Sequence, residues 1–218
     1  MEYLTKLIIV RHGQSIGNLT ATFLGHTDLD LSDLGYKQAA ATAEHLKNEK
    51  IDTIYSSDLK RAANTAIPHA KIRDLDVIYS QNLREMYVGE WENRTKEDII
   101  NIWGREMFEK QWFDNFGLFT FPGGENTIDS GKRFLDEVLR ISSENIGKTV
   151  LIAAHAGVIR SFWSIISNID PKDIASSLPF PSNASYSIAY FDGEKLIPEN
   201  YSCDSHLESV GITKVNLR

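Results

Sequence analysis

A chain of 218 residues with 42% hydrophobic and 24% charged residues has the balance of one globular α/β domain, which we place at residues 1–218. The formal net charge of -7 argues against nucleic-acid and membrane partners, because proteins that bind them usually carry a basic face. Cys203 is the only cysteine, which excludes an intrachain disulfide and a closed cysteine-based zinc site. No apolar stretch resembles a signal peptide or reaches membrane-spanning length, so a cytoplasmic protein is expected.

The first predicted element is a buried strand that ends in polar residues. The apolar run at residues 7–10 favours a strand buried on both faces, and Arg11 and His12 follow it directly. Ligands of open α/β sheets bind beyond the carboxyl ends of the strands, so these side chains are placed to meet an anion. A lone histidine there is more often structural. However, the apolar run at residues 149–154 also ends in a histidine, His155, which favours two imidazoles at one edge of the sheet.

The elements between these two strands alternate in the manner of a parallel sheet. Strand, helix and crossover follow one another, which favours a mainly parallel sheet with helices on both faces. The predicted elements are a helix from Asp33 capped by Ser32, strands at residues 52–57 and 75–79, a helix after Asp58 as its N-cap, helices at residues 126–145 and 158–167, and a hairpin of residues 185–191 and 195–201.

Residues 93–124 break this pattern and are predicted to form a helical, aromatic, lid-like insertion. The favoured interpretation is that its rings fill a small satellite core; the alternative is that they touch a substrate, and the two can hold for different rings. The aromatic residues concerned are Trp103, Phe108, Trp112, Phe113, Phe116, Phe119 and Phe121.

Two further charged residues are predicted at the same edge of the sheet. Arg61 falls in the first turn of the helix after the predicted strand at residues 52–57, where its alternative role is to pair with Asp58 at helical spacing. Glu85 follows the third strand, although a loop glutamate is usually only solvated. Two histidines, two arginines and one carboxylate at one edge form a set that chance explains poorly.

The residue types in this set favour phosphoryl transfer. No metal-ligand spacing is present, and the nucleophile elbow G-x-S-x-G of serine hydrolases is missing. Two guanidinium groups match the oxygens of a phosphate dianion, and a neutral imidazole is a suitable acceptor for the phosphoryl group. We therefore expect a phosphorylated small molecule as the partner, with no metal and no cofactor.

These residues stand in motifs that resemble those of the histidine phosphatase superfamily, the phosphoglycerate-mutase-like proteins. The resemblance spans nearly the whole chain and implies a three-layer α/β sandwich with a mixed, mostly parallel sheet. The motifs are Arg11-His12-Gly, Arg61 in SSDLKRAANTA, Glu85 in LREMYVGEWE, His155-Ala-Gly, GHTDLDLSDLGYKQA at residues 25–39, PGGEN at residues 122–126 and SNASYSIAYFDG at residues 182–193.

The resemblance also implies a role for each residue of the set. His12 would be the nucleophile that becomes a phosphohistidine, while Arg11, Arg61 and His155 would hold the phosphoryl oxygens. Glu85 would protonate the leaving oxygen and later help water to attack the intermediate. The neighbouring arginine charges are expected to hold His12 neutral and nucleophilic.

The same resemblance supplies candidates for substrate binding. For Ser15 and Asn18 a loop-capping role is equally favoured. The candidates are Gln14, Ser15, Asn18, Gly25 and the backbone N–H of Ala156.

The segment after Glu85 resembles the phosphatase branch rather than the mutase branch. Gln14 stands where mutases usually have Glu, and the Arg- and Pro-rich insertion of the mutases is missing. We expect a metal-independent phosphomonoesterase that accepts a partly apolar leaving group, either of broad specificity or acting on α-ribazole phosphate. A cofactor-dependent phosphoglycerate mutase is the alternative, followed by a non-catalytic phosphate-binding domain. A monomer and a homodimer are both compatible with the sequence.

Overall fold

A computed structural model of the protein describes residues 4–214. The strands are β1 (Thr5–Arg11), β2 (Thr22–Phe23), β3 (Thr53–Ser57), β4 (Val77–Ser80), β5 (Arg94–Thr95), β6 (Thr149–Ala154), β7 (Tyr186–Phe191) and β8 (Leu196–Cys203). The α-helices are α1 (Ile16–Leu19), α2 (Asp33–His45), α3 (Lys60–Arg73), α4 (Lys96–Trp103), α5 (Thr127–Glu144), α6 (Ala156–Ile166) and α7 (Ile174–Ser177). A π-helix spans Met107–Asp114, and 3-10 turns span Gln81–Leu83, Gly89–Trp91, Phe116–Leu118, Pro171–Asp173 and Ser205–Leu207.

Six strands form a mixed, mostly parallel sheet in the order β4-β3-β6-β1-β7-β8. The pairings among β4, β3, β6 and β1 are parallel, whereas β7 runs antiparallel to both β1 and β8. Arg11 at the end of β1 lies opposite Ala154 at the end of β6. The carboxyl ends of the parallel strands therefore meet at one edge, as the sequence predicts, and the residues that follow them converge there.

The sheet separates two apolar clusters, because successive side chains of a strand point to opposite faces. Leu7 and Ile9 of β1 pack with α5 and α6, while Ile8 and Val10 pack with α3 and the end of α2. All four side chains are buried. Helices thus cover both faces, and the predicted three-layer α/β arrangement is confirmed. None of the helices in residues 4–214 is long and apolar enough to cross a bilayer.

Of the four helix starts that the sequence predicts, two agree with the structure to within one residue and two do not. Ser32 caps α2 by accepting a hydrogen bond from the N–H of Gly35 at 3.1 Å. The prediction that Asp58 caps α3 is wrong, because Leu59 occupies the N-cap position and the Lys60 N–H donates to Asp28 Oδ1 at 2.7 Å instead. Helix α6 begins at Ala156, two residues before the predicted start. Its first turn therefore follows His155 directly, at the edge of the sheet where the parallel strands end.

The alternative pairing of Arg61 with Asp58 is also wrong. Asp58 accepts two hydrogen bonds from Arg84, from Nε at 2.7 Å and from Nη2 at 2.6 Å. Bidentate geometry favours Arg84 over a partner three positions along a helix. Arg61 is consequently available for other contacts.

The aromatic residues of 93–124 do not form a separate satellite core. Phe108, Trp112, Phe116 and Phe121 belong to the same apolar cluster as β1 and α5, with Trp91 in contact with several of them. The π-helix Met107–Asp114 carries Trp112 into this cluster. The expectation of a small independent core was therefore wrong, while the boundaries of a single domain at residues 1–218 stay a prediction.

Candidate active site

His12 is fixed at the edge of the sheet by its backbone. Its N–H donates to the carbonyl of Ala154 at 2.9 Å, and its own carbonyl accepts from the Ala184 N–H and from Asn183 Nδ2, both at 3.2 Å. Its ring Nδ1 lies 2.7 Å from the carbonyl oxygen of Gly13. A carbonyl oxygen only accepts, so Nδ1 carries the proton and Nε2 carries the lone pair. His12 is therefore held in the tautomer whose Nε2 can act as a nucleophile.

The glycine after His12 is required by close packing. A Cβ atom built on Gly13 would lie 2.4 Å from the carbonyl oxygen of Gly35 at the start of α2. The Gly13 N–H also donates to Thr65 Oγ1 at 3.0 Å, and Thr65 in turn donates to the Arg61 carbonyl at 2.7 Å. The loop thus packs closely against α2 and α3.

His155 takes the opposite tautomer. Its Nδ1 lies 3.2 Å from Arg61 Nε, and a guanidinium can only donate, so this ring nitrogen accepts. The neutral ring then carries its proton on Nε2, which is buried and has no partner within residues 4–214. The rings of His12 and His155 lie 5.2 Å apart between centroids. His155 thus offers one unused N–H donor beside the ring of His12.

Arg11 and Arg61 are buried and bind backbone carbonyls rather than carboxylates. Arg61 donates from Nη1 to Thr27 O and from Nη2 to Gly25 O, both at 2.8 Å. Arg11 donates from Nη1 to Pro181 O at 2.6 Å, while its Nε is buried without a partner in the described chain. Burial lowers the pKa of each guanidinium to about 10, which leaves both charged at neutral pH. Two desolvated cations of this kind favour an anionic ligand.

The same burial keeps both imidazoles neutral. Burial first, and then the charges of Arg11 and Arg61, hold the pKa of His12 well below its ordinary value. Burial and then the charge of Arg61 lower the pKa of His155 in the same direction. Both rings are therefore neutral near physiological pH, which agrees with the tautomers that their hydrogen bonds require.

Glu85 reaches this group of residues from the loop after β4. Its carboxylate accepts hydrogen bonds at 3.0 Å from the N–H groups of Gly157, Val158 and Met86. Gly157 and Val158 belong to the first turn of α6, where backbone N–H groups lack partners inside the helix. The α6 terminus thus fixes the carboxylate beside the two histidines.

A cavity of about 150 Å³ connects these groups. Its volume is close to that of an apolar cavity that holds one benzene-sized molecule. Eight of the ten residues that the sequence predicts for the site line it: Arg11, His12, Ser15, Asn18, Gly25, Arg61, Glu85 and Ala156. His155 lies against it through its contacts with Arg61 and His12. Among residues 4–214, no three His, Cys, Asp or Glu side chains are arranged to hold a metal ion.

Comparison with known protein families matches residues 7–204 to the histidine phosphatase superfamily, branch 1. The chain belongs to this superfamily. It is 32% identical over 216 residues to the metal-independent phosphoserine phosphatase of Arabidopsis thaliana, with 95% of this chain and 85% of the relative covered. A 2,3-bisphosphoglycerate-dependent phosphoglycerate mutase of Bartonella tribocorum is 33% identical over 177 residues, covering 78% and 85%. YhfR of Bacillus stearothermophilus superposes with a TM-score of 0.87 at 26% identity, covering 94% and 100%.

This histidine phosphatase is accordingly an enzyme, a phosphoric monoester hydrolase, and the mutase reaction is a distant alternative. The resemblance that its motifs suggest is confirmed, and so is the phosphoglycerate-mutase-like fold. A non-catalytic phosphate-binding domain is disfavoured, because His12, Glu85 and both arginines are all present at the site.

One substrate-binding candidate of this histidine phosphatase lies outside the cavity. The Gln14 side chain accepts from Ser32 Oγ at 2.8 Å, and its backbone N–H donates to Gln38 Oε1 at 2.8 Å. These contacts direct Gln14 toward α2 and away from the cavity, and its role in substrate binding stays a prediction. Gln14 instead connects the loop after β1 to the cap of α2.

Ser15 and Asn18 have the capping role and line the cavity as well. Ser15 is the N-cap of α1, its side chain accepts from the Asn18 N–H, and the Asn18 side chain accepts from the Ser15 N–H. Asn183 Nδ2 donates to Asn18 Oδ1 at 3.0 Å as well as to the His12 carbonyl. The sequence did not single out Asn183, although it lies in the SNASYSIAYFDG motif.

The apolar part of the cavity was only partly predictable. The aromatic residues of 93–124 were candidates for substrate contact, and Trp112 and Phe121 do line the cavity. The lining residues that the sequence did not indicate include Ala21, Thr22, Phe23, Leu24, Met86, Val88, Phe180 and Lys214. They come from distant parts of the chain, and no local pattern distinguishes them from ordinary core or loop residues.

Proposed function

We propose that this histidine phosphatase hydrolyses small phosphomonoesters without a metal ion, through a phosphohistidine on His12. The observation that carries the proposal is the fixed tautomer of His12. Its Nδ1–H is held by the carbonyl oxygen of Gly13, and its Nε2 lone pair lies in a group that also contains two buried guanidiniums. A neutral imidazole in a cationic pocket is what attack on a phosphate dianion requires.

Three groups would hold the phosphoryl oxygens. Arg11 has a buried Nε without a partner in the described chain, and so has His155 at Nε2, so both have N–H donors to offer. Arg61 adds a positive charge, although two of its nitrogens already bind carbonyls. The positive charges would also stabilise the negative charge on the equatorial oxygens of the transition state.

The reaction then follows in two steps. In the first, His12 Nε2 forms a bond to phosphorus while the bond to the leaving oxygen breaks, and Glu85 gives that oxygen its proton. In the second, Glu85 takes a proton from a water molecule as the water oxygen attacks phosphorus. The N–P bond breaks, phosphate leaves, and both His12 and Glu85 return to their starting states.

The cavity supports a small leaving group with an apolar body. Besides the charged groups of the proposed reaction, its walls are mostly apolar, with Phe23, Trp112, Phe121 and Phe180 among them. Aromatic walls favour aryl or other apolar groups through their buried area and ring contacts. A broad-specificity enzyme or one for α-ribazole phosphate, as the sequence predicts, is compatible with such a wall.

A second candidate is a phosphoserine phosphatase, the activity in the name of the Arabidopsis relative. One feature of the cavity favours a substrate with a further anionic group. Lys214 lines it and is exposed, so its ammonium can meet a carboxylate on the leaving group. Comparison of phosphoserine with phenyl phosphate as substrates distinguishes the two candidates, because only phosphoserine carries this carboxylate.

The decisive experiment measures phosphate release from 4-nitrophenyl phosphate in excess EDTA, with 3-phosphoglycerate assayed in parallel for mutase activity. We expect hydrolysis to survive EDTA and to exceed mutase activity by at least about a hundredfold. His12→Ala should abolish both turnover and an acid-labile phosphoenzyme while leaving the folded structure intact. Turnover equal to that of the wild type in His12→Ala, or rapid phosphoglycerate interconversion with negligible hydrolysis, would overturn the proposal.

The proposal also covers the cellular location and the oligomeric state of the enzyme. A cytoplasmic enzyme that acts on a phosphorylated small molecule is consistent with a single cysteine, Cys203, whose thiol is free. Both the monomer and the homodimer stay predictions.

A further inference from the structure

We propose that Arg133 on α5 is a positioning residue that holds the backbone on which Glu85 is carried. This inference rests on the proposed role of Glu85 as the proton donor to the leaving group. Arg133 lies outside the cavity lining and touches no group of the proposed reaction except through the main chain. Its guanidinium instead binds the loop from which Glu85 projects.

The contacts of Arg133 converge on the loop of residues 82–85. Nη1 donates to Asn82 O at 2.8 Å and to Arg84 O at 3.2 Å, and Nη2 donates to Glu85 O at 3.2 Å. Three carbonyls in four consecutive residues thus share one guanidinium. The planar, rigid fork of arginine fixes their relative positions in a way that a lysine ammonium cannot reproduce.

Glu125 orients this guanidinium. Its carboxylate pairs with Arg133 in a bidentate manner, at 2.9 Å from Nε and 2.9 Å from Nη2. Burial acts to raise the pKa of Glu125, but the hydrogen bonds from Arg133 and from the Tyr87 N–H, together with the charge of Arg133, outweigh it and lower the pKa, so the pair stays ionised. The two side chains are 24% and 28% exposed, which distinguishes this pair from solvated surface pairs.

Glu125 also holds the loop on the other side of Glu85. Tyr87 donates its N–H to Glu125 Oε2 at 2.8 Å, and the Glu125 N–H donates to Tyr87 O at 2.8 Å. A further contact reaches Glu85 itself, because His26 Nε2 lies 2.9 Å from its carbonyl oxygen. Both flanks of Glu85 are therefore held by the Arg133–Glu125 pair.

Two anchors consequently define the position of Glu85. The first turn of α6 binds its carboxylate, and the pair of Arg133 and Glu125, together with His26, binds its main chain. Loss of the second anchor would let the loop shift while the chain stays folded. Since a misplacement of about 1 Å can reduce a rate by about a hundredfold, such a shift matters for proton transfer.

The test compares leaving groups, because a proton donor matters most where the leaving oxygen is a strong base. We would measure kcat/KM for 2,4-dinitrophenyl, 4-nitrophenyl and phenyl phosphate in the wild type, Arg133→Met, Arg133→Lys and Glu85→Gln. We expect Arg133→Met to lower the value for phenyl phosphate by at least about tenfold and that for 2,4-dinitrophenyl phosphate by less than about threefold. Arg133→Lys should restore only part of the loss.

Arg140→Met is the matched control. Arg140 lies on the same helix and pairs with Glu137 at 2.8 Å and with Glu144 at 2.7 Å, and it binds none of the three carbonyls that Arg133 holds. Glu137 reaches the loop only through the Asn82 side chain, whose Nδ2 donates to Glu137 Oε2 at 3.4 Å. We expect this variant to keep the wild-type dependence on the leaving group. Thermal unfolding of each variant separates a loss of folded protein from a loss of positioning.

The outcomes separate this inference from the proposed function. If Glu85→Gln steepens the dependence on the leaving group and Arg133→Met does not, Arg133 is not a positioning residue. If Glu85→Gln lowers kcat/KM equally for all three substrates, the role of Glu85 as proton donor is wrong and the proposed function must change. If Arg140→Met steepens the dependence as much as Arg133→Met, the effect belongs to α5 as a whole and the inference is overturned.

Discussion

At the scale of single residues, Gly157 is the position where the smallest change should have the most specific effect. A Cβ atom there would lie 2.7 Å from Glu85 Oε1 and 3.0 Å from the end of the Met86 side chain. Both neighbours are side-chain termini that can move. Alanine is also a better helix former than glycine, so the helix itself would not suffer.

We predict that Gly157→Ala displaces the Glu85 carboxylate while the protein stays folded. The value of kcat/KM for phenyl phosphate should fall by about tenfold to a hundredfold, with a smaller loss for 2,4-dinitrophenyl phosphate. Steady-state kinetics and thermal unfolding would be measured together. Unchanged kinetics in Gly157→Ala would contradict the prediction that the position of the Glu85 carboxylate limits the rate.

Gly131→Ala is the matched comparison. A Cβ atom on Gly131 would lie 2.6 Å from the Cβ of Ser161 and 3.0 Å from its backbone carbon, where α5 packs against α6. Backbone atoms cannot move aside as easily as the ends of side chains, so the free energy of unfolding of this variant should fall by about 1 to 3 kcal/mol. Its dependence on the leaving group should stay that of the wild type.

At the scale of elements, the residues of the site lie where strands end and where helices begin. The end of β1 supplies Arg11 and His12, the start of α6 supplies the N–H groups for Glu85, and the start of α3 supplies Arg61. The end of β1 and the placement of Arg61 in the first turn of a helix were predictable from local patterns, whereas the sequence placed the start of α6 two residues too late. The π-helix was not predictable, because no local pattern of residues distinguishes it from an ordinary helix.

The apolar wall leads to a prediction about substrate preference. Phe180 lines the cavity and packs against Trp112 with ring centroids 5.9 Å apart. We expect Phe180→Ala to lower kcat/KM for phenyl phosphate by about tenfold, because a buried aromatic contact of this kind is lost. The kcat/KM for phosphoserine, which has no ring, should change by less than about threefold in this variant, as measured by phosphate release.

Phe113→Ala controls for a general loosening of the aromatic cluster. Phe113 packs on Phe108 at 5.5 Å between ring centroids and is not among the residues that line the cavity. We expect its ratio of phenyl phosphate to phosphoserine activity to stay unchanged. An equal shift of this ratio in both variants would contradict a direct contact between Phe180 and the leaving group.

At the scale of the whole molecule, buried histidines link stability to pH. His69 on α3 is fully buried, and neither ring nitrogen has a partner in the described chain. Burial, with smaller contributions from Arg73 and His206, lowers the pKa of His69 to about 3. Below the ordinary pKa of about 6.5, the unfolded chain therefore binds a proton that the folded chain does not, and stability falls as the pH falls.

We predict that His69→Leu reduces this dependence on pH. The wild type should lose about 2 kcal/mol through His69 alone when the pH falls from about 7 to about 5, a loss that the variant avoids. Near pH 7 the variant should be at least as stable, since two unpaired buried nitrogens are removed. Urea unfolding at several pH values measures both effects, and equal slopes for the two proteins would contradict the assignment.

The sequence by itself determined the order of strands and helices, the edge where the chemistry lies and most residues of the site. Hydrophobic periods and helix caps depend on residues a few positions apart, and parallel strands bring their carboxyl ends to one edge. Eight of ten predicted residues line the cavity, four of them predicted from these patterns and four implied by the resemblance to the superfamily. The motifs around His12 and His155, together with the order in which they follow one another, are also specific enough to indicate the superfamily.

Only the tertiary structure decided which donor meets which acceptor. The Asn183 side chain that holds the His12 carbonyl is 171 positions away, and no local pattern encodes such a pairing. The same reason explains why Asp58 binds Arg84, why Gln14 turns toward α2 and how Arg133 reaches the loop of Glu85. Hydrogen bonds satisfy buried groups wherever packing brings them, so the tautomers and the positions of charges follow from the fold as a whole.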